Sequence, residues 1–145
     1  MPASKTEQVL NGLKALLETV PDAIVGCNSV LPEKIPDGGL IIIRDGDPGE
    51  PEQALGGFGT TYYRHAVEIE LYVEEGDAAA RDAAFDQLLQ QIGTVLEADQ
   101  SLGGIAFGLT YGRPENSIEA VPGAPAIKSA TLIVTIDYET GAPLS

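Results

Sequence analysis

The chain has 145 residues and a formal net charge of −14 at pH 7, from 22 acidic against 8 basic residues. That length suits one domain, able to bury a core without metals or disulfides. So acidic a chain is excluded as a wrapper of DNA or RNA, which takes clustered Lys and Arg, and an anionic membrane surface repels it. The single cysteine, Cys27, rules out an intrachain disulfide. No segment reaches the apolar length of a membrane span. Residues 1–20 lack the apolar core and small-residue cleavage site of a signal peptide, so the expected location is the cytoplasm or an assembly built there.

A first helix is predicted from Ser4, with Ser4 as N-cap and Glu7 as its capping-box partner. Val9, Leu10, Leu13, Leu16, Leu17 and Val20 recur at helical spacing, and Pro21 and Asp22 end the helix. A short strand over 23–27 follows, then a loop over 28–39 punctuated by Pro32, Pro36 and a glycine pair. Leu40, Ile41, Ile42 and Ile43 form a continuous apolar run, which predicts a strand covered on both faces or lying centrally. The next stretch, 44–59, is rich in glycine and proline. It reads as a long loop, and loops of such length in small domains are often functional.

Residues 62–75 alternate cleanly. Val67, Ile69, Leu71 and Val73 share one face, and Arg64, Glu68, Glu70, Tyr72 and Glu74 share the other, so one face is buried and one is wet. A turn at Gly76 and Asp77 opens a second helix, with Asp77 as N-cap. Its apolar stripe is Phe85, Leu88, Leu89, Ile92, Val95 and Leu96. Gly93 interrupts that helix at a cost of about 1 kcal/mol relative to Ala, which a close approach by a neighbouring element would explain. Gly103 and Gly104 end the segment. Ile105, Phe107, Leu109 and Tyr111 alternate with small or polar residues and predict a strand over 105–111. A proline-bearing loop over 113–125 leads to a last strand over 127–139, which buries Ala130, Leu132, Val134, Ile136 and Tyr138. The expected architecture is a single α+β domain over 1–145, a mainly antiparallel or mixed sheet with two helices packed on one face, in the order α-β-β-β-α-β-β.

Candidate chemistry is sparse. The lone histidine, His65, is in register with the apolar face of its strand, and no His or Cys spacing offers it a metal or a nucleophile. A structural histidine is the default reading. Asp45 and Asp47 resemble the opening of a calcium loop, but Gly49 stands where an oxygen ligand belongs and Glu50 where glycine is required. The glycines near Phe58 have neither P-loop nor dinucleotide spacing, and no nucleophile elbow is present. No metal, cofactor or catalytic residue is expected. Glu68, Glu70 and Glu74 share a strand face and make a candidate acidic wall. The one cluster able to line a ligand pocket is Tyr62, Tyr63, Arg64 and His65, which supports the alternative of a small cytoplasmic enzyme or ligand-binding domain.

The segment GDAAARDAAFDQLLQQIGTVLEADQSLGG, following the strand YYRHAVEIELYVEE, resembles the tail terminator and tail-completion proteins of long-tailed phages, the lambda minor tail protein U group among them. The stretch LPEKIPDGGLIIIRDGDPGEPE is similar to prophage proteins of this type. The resemblance implies a structural protein rather than an enzyme. It implies a hexameric ring on the tail tube that stops tube polymerisation and offers a surface to the head. The implied partners are further copies of the chain, the major tail tube protein and head–tail connector proteins, and the implied place is the virion tail, assembled in the bacterial cytoplasm. DNA would pass through such a ring without specific binding, which the acidity suits. Glu68, Glu70 and Glu74 are then the candidate channel face. Arg44, Asp45, Asp47, Glu50, Glu52 and Phe58 in the 44–59 loop, together with the 113–125 loop, are candidates for contact with neighbouring subunits or the tube.

Overall fold

A computed structural model describes residues 3–28, 35–49, 52–53, 60–119 and 126–141. Helix α1 (Lys5–Leu17) starts where the sequence predicts, with the Ser4 hydroxyl accepting the Glu7 N–H at 3.2 Å. Strands β1 (Ile24–Cys27), β2 (Leu40–Asp47), β3 (Glu52–Gln53) and β4 (Thr61–Glu74) follow, then α2 (Ala78–Ala98), β5 (Gly108–Tyr111), β6 (Glu115–Glu119) and β7 (Ile127–Thr140). The fold is α+β in the expected order, with the short strands β3 and β6 added inside the two segments predicted as loops. Both are held from outside: β3 pairs with the start of β4, and β6 with the start of β7. Neither has the alternation that would announce it alone.

The sheet order is β1-β2-β4-β7-β5, with β3 beside β4 and β6 beside β7. Among the described residues only β1 and β2 run parallel. Its spine is the β4–β7 ladder, in which every residue of β4 has a partner in β7, from Thr61 with Thr140 to Glu74 with Ile127. Each strand buries alternate residues, as the period-2 pattern requires. Both helices lie against one face. Leu13 and Leu17 of α1 and Phe85, Leu88, Ile92 and Leu96 of α2 close over Ile41, Ile43, Val67, Ile69 and Val134.

The 40–43 run is buried on both sides, as predicted. Ile41 and Ile43 enter the main core, while Leu40 and Ile42 pack with Ile35 on the opposite face, flanked by Tyr72 and Ile127. Two sequence expectations are corrected. The strand predicted over 105–111 begins only at Gly108, because Leu102, Gly103 and Gly104 all take positive φ and keep the chain turning. Phe107 is consequently 64% exposed rather than in line with the core residue Leu109. No close neighbour explains Gly93, since a Cβ there would meet nothing within 4 Å. It borders an apolar hollow of about 120 Å³ beside Tyr111 and Leu132.

Gly46 is different: it sits at the β2 bulge with φ +67°, and a Cβ would lie 1.9 Å from the Ala66 carbonyl oxygen. The two glycines therefore respond oppositely to alanine. Gly93→Ala is expected to stabilise the fold by about 1 kcal/mol, a rise of roughly 2–4 °C in Tm for a chain of this size. Gly46→Ala is expected to destabilise it by more than about 1 kcal/mol. Thermal denaturation followed by circular dichroism measures both.

Candidate functional site

The face of the sheet away from the helices is covered in part, by the cluster of Ile35, Leu40 and Ile42. Along β4 it carries Tyr62, Arg64, Ala66, Glu68, Glu70, Tyr72 and Glu74. The predicted acidic wall is thus on one face, but its members have different surroundings. Glu68 is exposed, between Arg44 of β2 and Ile133 of β7. Glu70 is half-buried and neutralised. Arg44 donates to its Oε1 from Nη2 at 3.2 Å and from Nε at 3.3 Å, and the Tyr72 hydroxyl donates to the same oxygen at 3.0 Å. Glu74 accepts the Ile35 N–H at 3.3 Å, pinning the segment that covers the outer apolar cluster.

The loop candidates also separate. Arg44 belongs to β2 and is committed to Glu70. Asp45 is bracketed by Asn28, whose Nδ2 donates to Oδ1 at 2.8 Å while the Asp45 N–H donates to Asn28 Oδ1 at 3.3 Å. Asp47 accepts the Gly49 N–H at 2.8 Å in an Asx-type turn. Glu52 places its backbone in β3, against Tyr62. Glu50 and Phe58 lie outside the described residues. Among the described residues no group of three His, Cys, Asp or Glu side chains is placed to hold a metal ion.

His65 is 1% exposed, and both of its ring nitrogens are engaged. Nε2 contacts the Asp45 carbonyl oxygen, and Nδ1 lies 2.9 Å from the Tyr138 hydroxyl, which is 3.0 Å from Thr6 Oγ1. A carbonyl only accepts, so in the neutral ring Nε2–H donates to Asp45. Nδ1 then accepts from Tyr138, and Tyr138 accepts from Thr6. The cause is the bulge: Arg44 pairs with Glu68 and Asp47 with Ala66, so Asp45 drops out of the ladder register. A carbonyl that leaves its ladder loses its strand donor, and His65 supplies another. This histidine joins α1, β2, β4 and β7.

The tyrosine cluster seen in the sequence does line a cleft, of about 330 Å³, formed by Tyr62, Tyr63, Arg64, Phe107, Asp137 and Tyr138. His65 is not among its walls. Tyr62 and Phe107 face each other with ring centroids 6.1 Å apart, and Arg64 pairs with Asp137 at 3.3 Å. That pair is largely exposed and adds little stability. Phe107 and Asp137 are far from Tyr62 in sequence, and only the β4–β7–β5 pairing brings them near it.

No protein-family model matches the chain, and no curated protein does. Among solved structures, a chain of the "Virion of native gene transfer agent (GTA) particle" is similar at 12% identity and a TM-score of 0.35, with 92% of each chain covered. A likeness that loose supports no assignment.

Burial pushes the Tyr138 phenol above the ordinary tyrosine range, against a smaller downward effect of the Thr6 hydrogen bond. The folded state therefore holds this proton more tightly than the unfolded chain. Its contribution to stability is fully present below the ordinary tyrosine pKa of about 10 and is lost as pH climbs through the raised value. Urea unfolding at stepped pH should show this alkaline loss in the wild type and less of it in Tyr138→Phe. At neutral pH the same variant, which leaves His65 Nδ1 without its donor, is expected to be less stable by about 1–3 kcal/mol.

Proposed function

We propose that this chain is a structural protein of a phage or prophage tail, a terminator that caps the tail tube, ends its polymerisation and presents the surface to which the head joins. It acts as an assembly part and not as an enzyme. The observation that carries the reading is the one-sided fold: both helices are spent on one face of the sheet, and on the other face β4 presents exposed Arg64 and Glu68 beyond the small cluster of Ile35, Leu40 and Ile42. Such a surface is suited to contact with other subunits. The layout that resembles tail terminators supports the same reading, since its helix, long strand, helix and closing strands occur in that order in the fold.

In this reading, copies of the chain form a ring, of six in the resemblance, on the major tail tube protein, with head–tail connector proteins on the far side. Glu68 and Glu74 border the path of the DNA, where negative charge keeps a polyanion from sticking. Glu70 serves instead to hold Arg44. A second reading, a ligand-binding domain, rests on the cleft between Tyr62, Arg64, Phe107 and Asp137.

Two measurements test the capping reading. Purified protein added to growing tail tubes should yield capped tubes of uniform length, seen by electron microscopy, whereas its loss should give overlong, headless tails. Tubes that elongate equally with and without it would overturn the capping role. Glu68→Lys combined with Glu74→Lys should still cap tubes but lower the yield of infectious particles. An unchanged titre would remove these glutamates from the DNA path.

A further inference from the structure

The described residues include three exposed large apolar side chains: Ile24 at 55%, Phe107 at 64% and Ile133 at 41%. Two of them mark the outer edges of the sheet, and the third lies one strand in from an edge. Ile24 is in β1, the terminal strand on one side. Phe107 directly precedes β5, the terminal strand on the other. Ile133 is in β7, one residue past its ladder with β5 and before its ladder with β6, in a stretch that neither short strand pairs.

The edges also differ in chemistry from the rest of the sheet border. Strands β1, with the sequence IVGC, and β5, with GLTY, carry no charge and no proline. The neighbouring open stretches are charged: Arg44, Asp45 and Asp47 continue β2 beyond β1, Glu52 lies in β3, and Glu115 and Glu119 lie in β6. Edge strands are normally protected by such charges, because an unprotected edge is a template for another strand. Here that protection is missing from two strands of four residues each, at opposite ends of the strand order.

We infer that these two edges meet: β1 of one copy pairs with β5 of the next, and the sheet runs on from subunit to subunit. The occupant is a second copy because a chain of net charge −14 meets itself at least cost through its uncharged borders. Strand direction agrees. Following the ladders across the sheet, β1 and β5 run in opposite senses, so a neighbour in the same orientation lays its β1 antiparallel to β5. The faces agree as well. Ile24 pairs with Leu40, whose side chain packs in the outer cluster, so Ile24 is on the outer face. On β5 that face carries only Gly108 and Thr110, since Leu109 and Tyr111 turn to the core. Ile24 of the incoming copy thus passes over small residues toward Ile133. Opposite edges make the contact head-to-tail, which closes into rings or grows into filaments. This extends the capping reading by naming how its subunits join, but its test needs only the purified chain.

Ile24→Lys and Thr110→Lys each place one charge on one edge at an exposed position, and circular dichroism confirms that each variant folds. Sedimentation velocity over a concentration series should show assemblies larger than dimers for the wild type and monomers for either variant alone. Mixed in equal amounts, the two variants should form heterodimers and nothing larger, because each retains the edge that the other lacks. Wild-type protein that stays monomeric at every concentration, variants that assemble like wild type, or a mixture that stays monomeric would each overturn the inference, whether or not the protein caps tail tubes.

Discussion

The full-length pairing of β4 with β7 is the constraint on which the rest of this fold depends. Two strands of 14 residues, bonded along their whole length, set one inner row of Val67, Ile69, Leu71, Leu132, Val134 and Ile136. That row fixes where the helices must go, because only it has apolar surface enough to receive them. It also divides the sheet border. Each of the two long strands has one free side, filled by two shorter strands in tandem: β2 then β3 along β4, and β5 then β6 along β7. The open edges beside it and the outer-face side chains of β4 and β7 take their positions from this ladder.

The adjoining β2–β4 ladder carries a bulge, and its repair is the main polar feature of the described core. At Gly46 the backbone of β2 passes so close to Ala66 that no side chain fits, and Asp45 leaves the register. His65 lies close by on β4 and turns inward with a donor for the Asp45 carbonyl. The second ring nitrogen then needs a hydroxyl, which β7 supplies through Tyr138, and α1 completes the series with Thr6. A fully satisfied buried network of this kind fixes relative positions that apolar packing alone would leave adjustable. It also accounts for the single histidine without any chemistry on a substrate.

Much of this was legible in the sequence because the governing patterns are local. The alternation from Val67 to Val73 placed the inner row, and the stripes of Leu13 and Leu17 and of Phe85, Leu88 and Ile92 placed the helix faces. Ser4 and Asp77 marked both helix starts, and each side chain does accept a first-turn N–H. What stayed hidden depends on partners distant along the chain. Strand β6 has only one β-branched apolar residue, Ile118, and exists because β7 offers it an edge. Arg44 and Glu70 are joined across two strands, so the acidic row looked uniform when it was not. Phe107 satisfied a period-2 pattern, yet that pattern is blind to the positive φ of Leu102 and the glycines after it. Arg81, near the start of α2, gave no sign in the sequence of its burial: it is 9% exposed, donating to the Glu75 carbonyl.

The distribution of charge is the other half of the argument. Self-association of so acidic a chain is opposed at every approach that brings carboxylates together, and screening at physiological salt reaches only about 8 Å. Surfaces that repel are therefore most of the molecule, and the few neutral ones acquire meaning by contrast. On the outer face Arg44 cancels Glu70, which leaves Glu68 as the exposed acid in the middle of β4. At the two ends of the sheet, backbone groups stand beside Ile24, Gly108 and Thr110 with no charge in either strand. A chain that needed only to remain soluble would gain from a lysine or glutamate at those ends, as its β3 and β6 segments already have. Its neutral borders are the places where repulsion between copies is weakest. A sheet with Glu68 exposed at its middle and no charge in its two terminal strands offers another copy less repulsion at its ends than across its face.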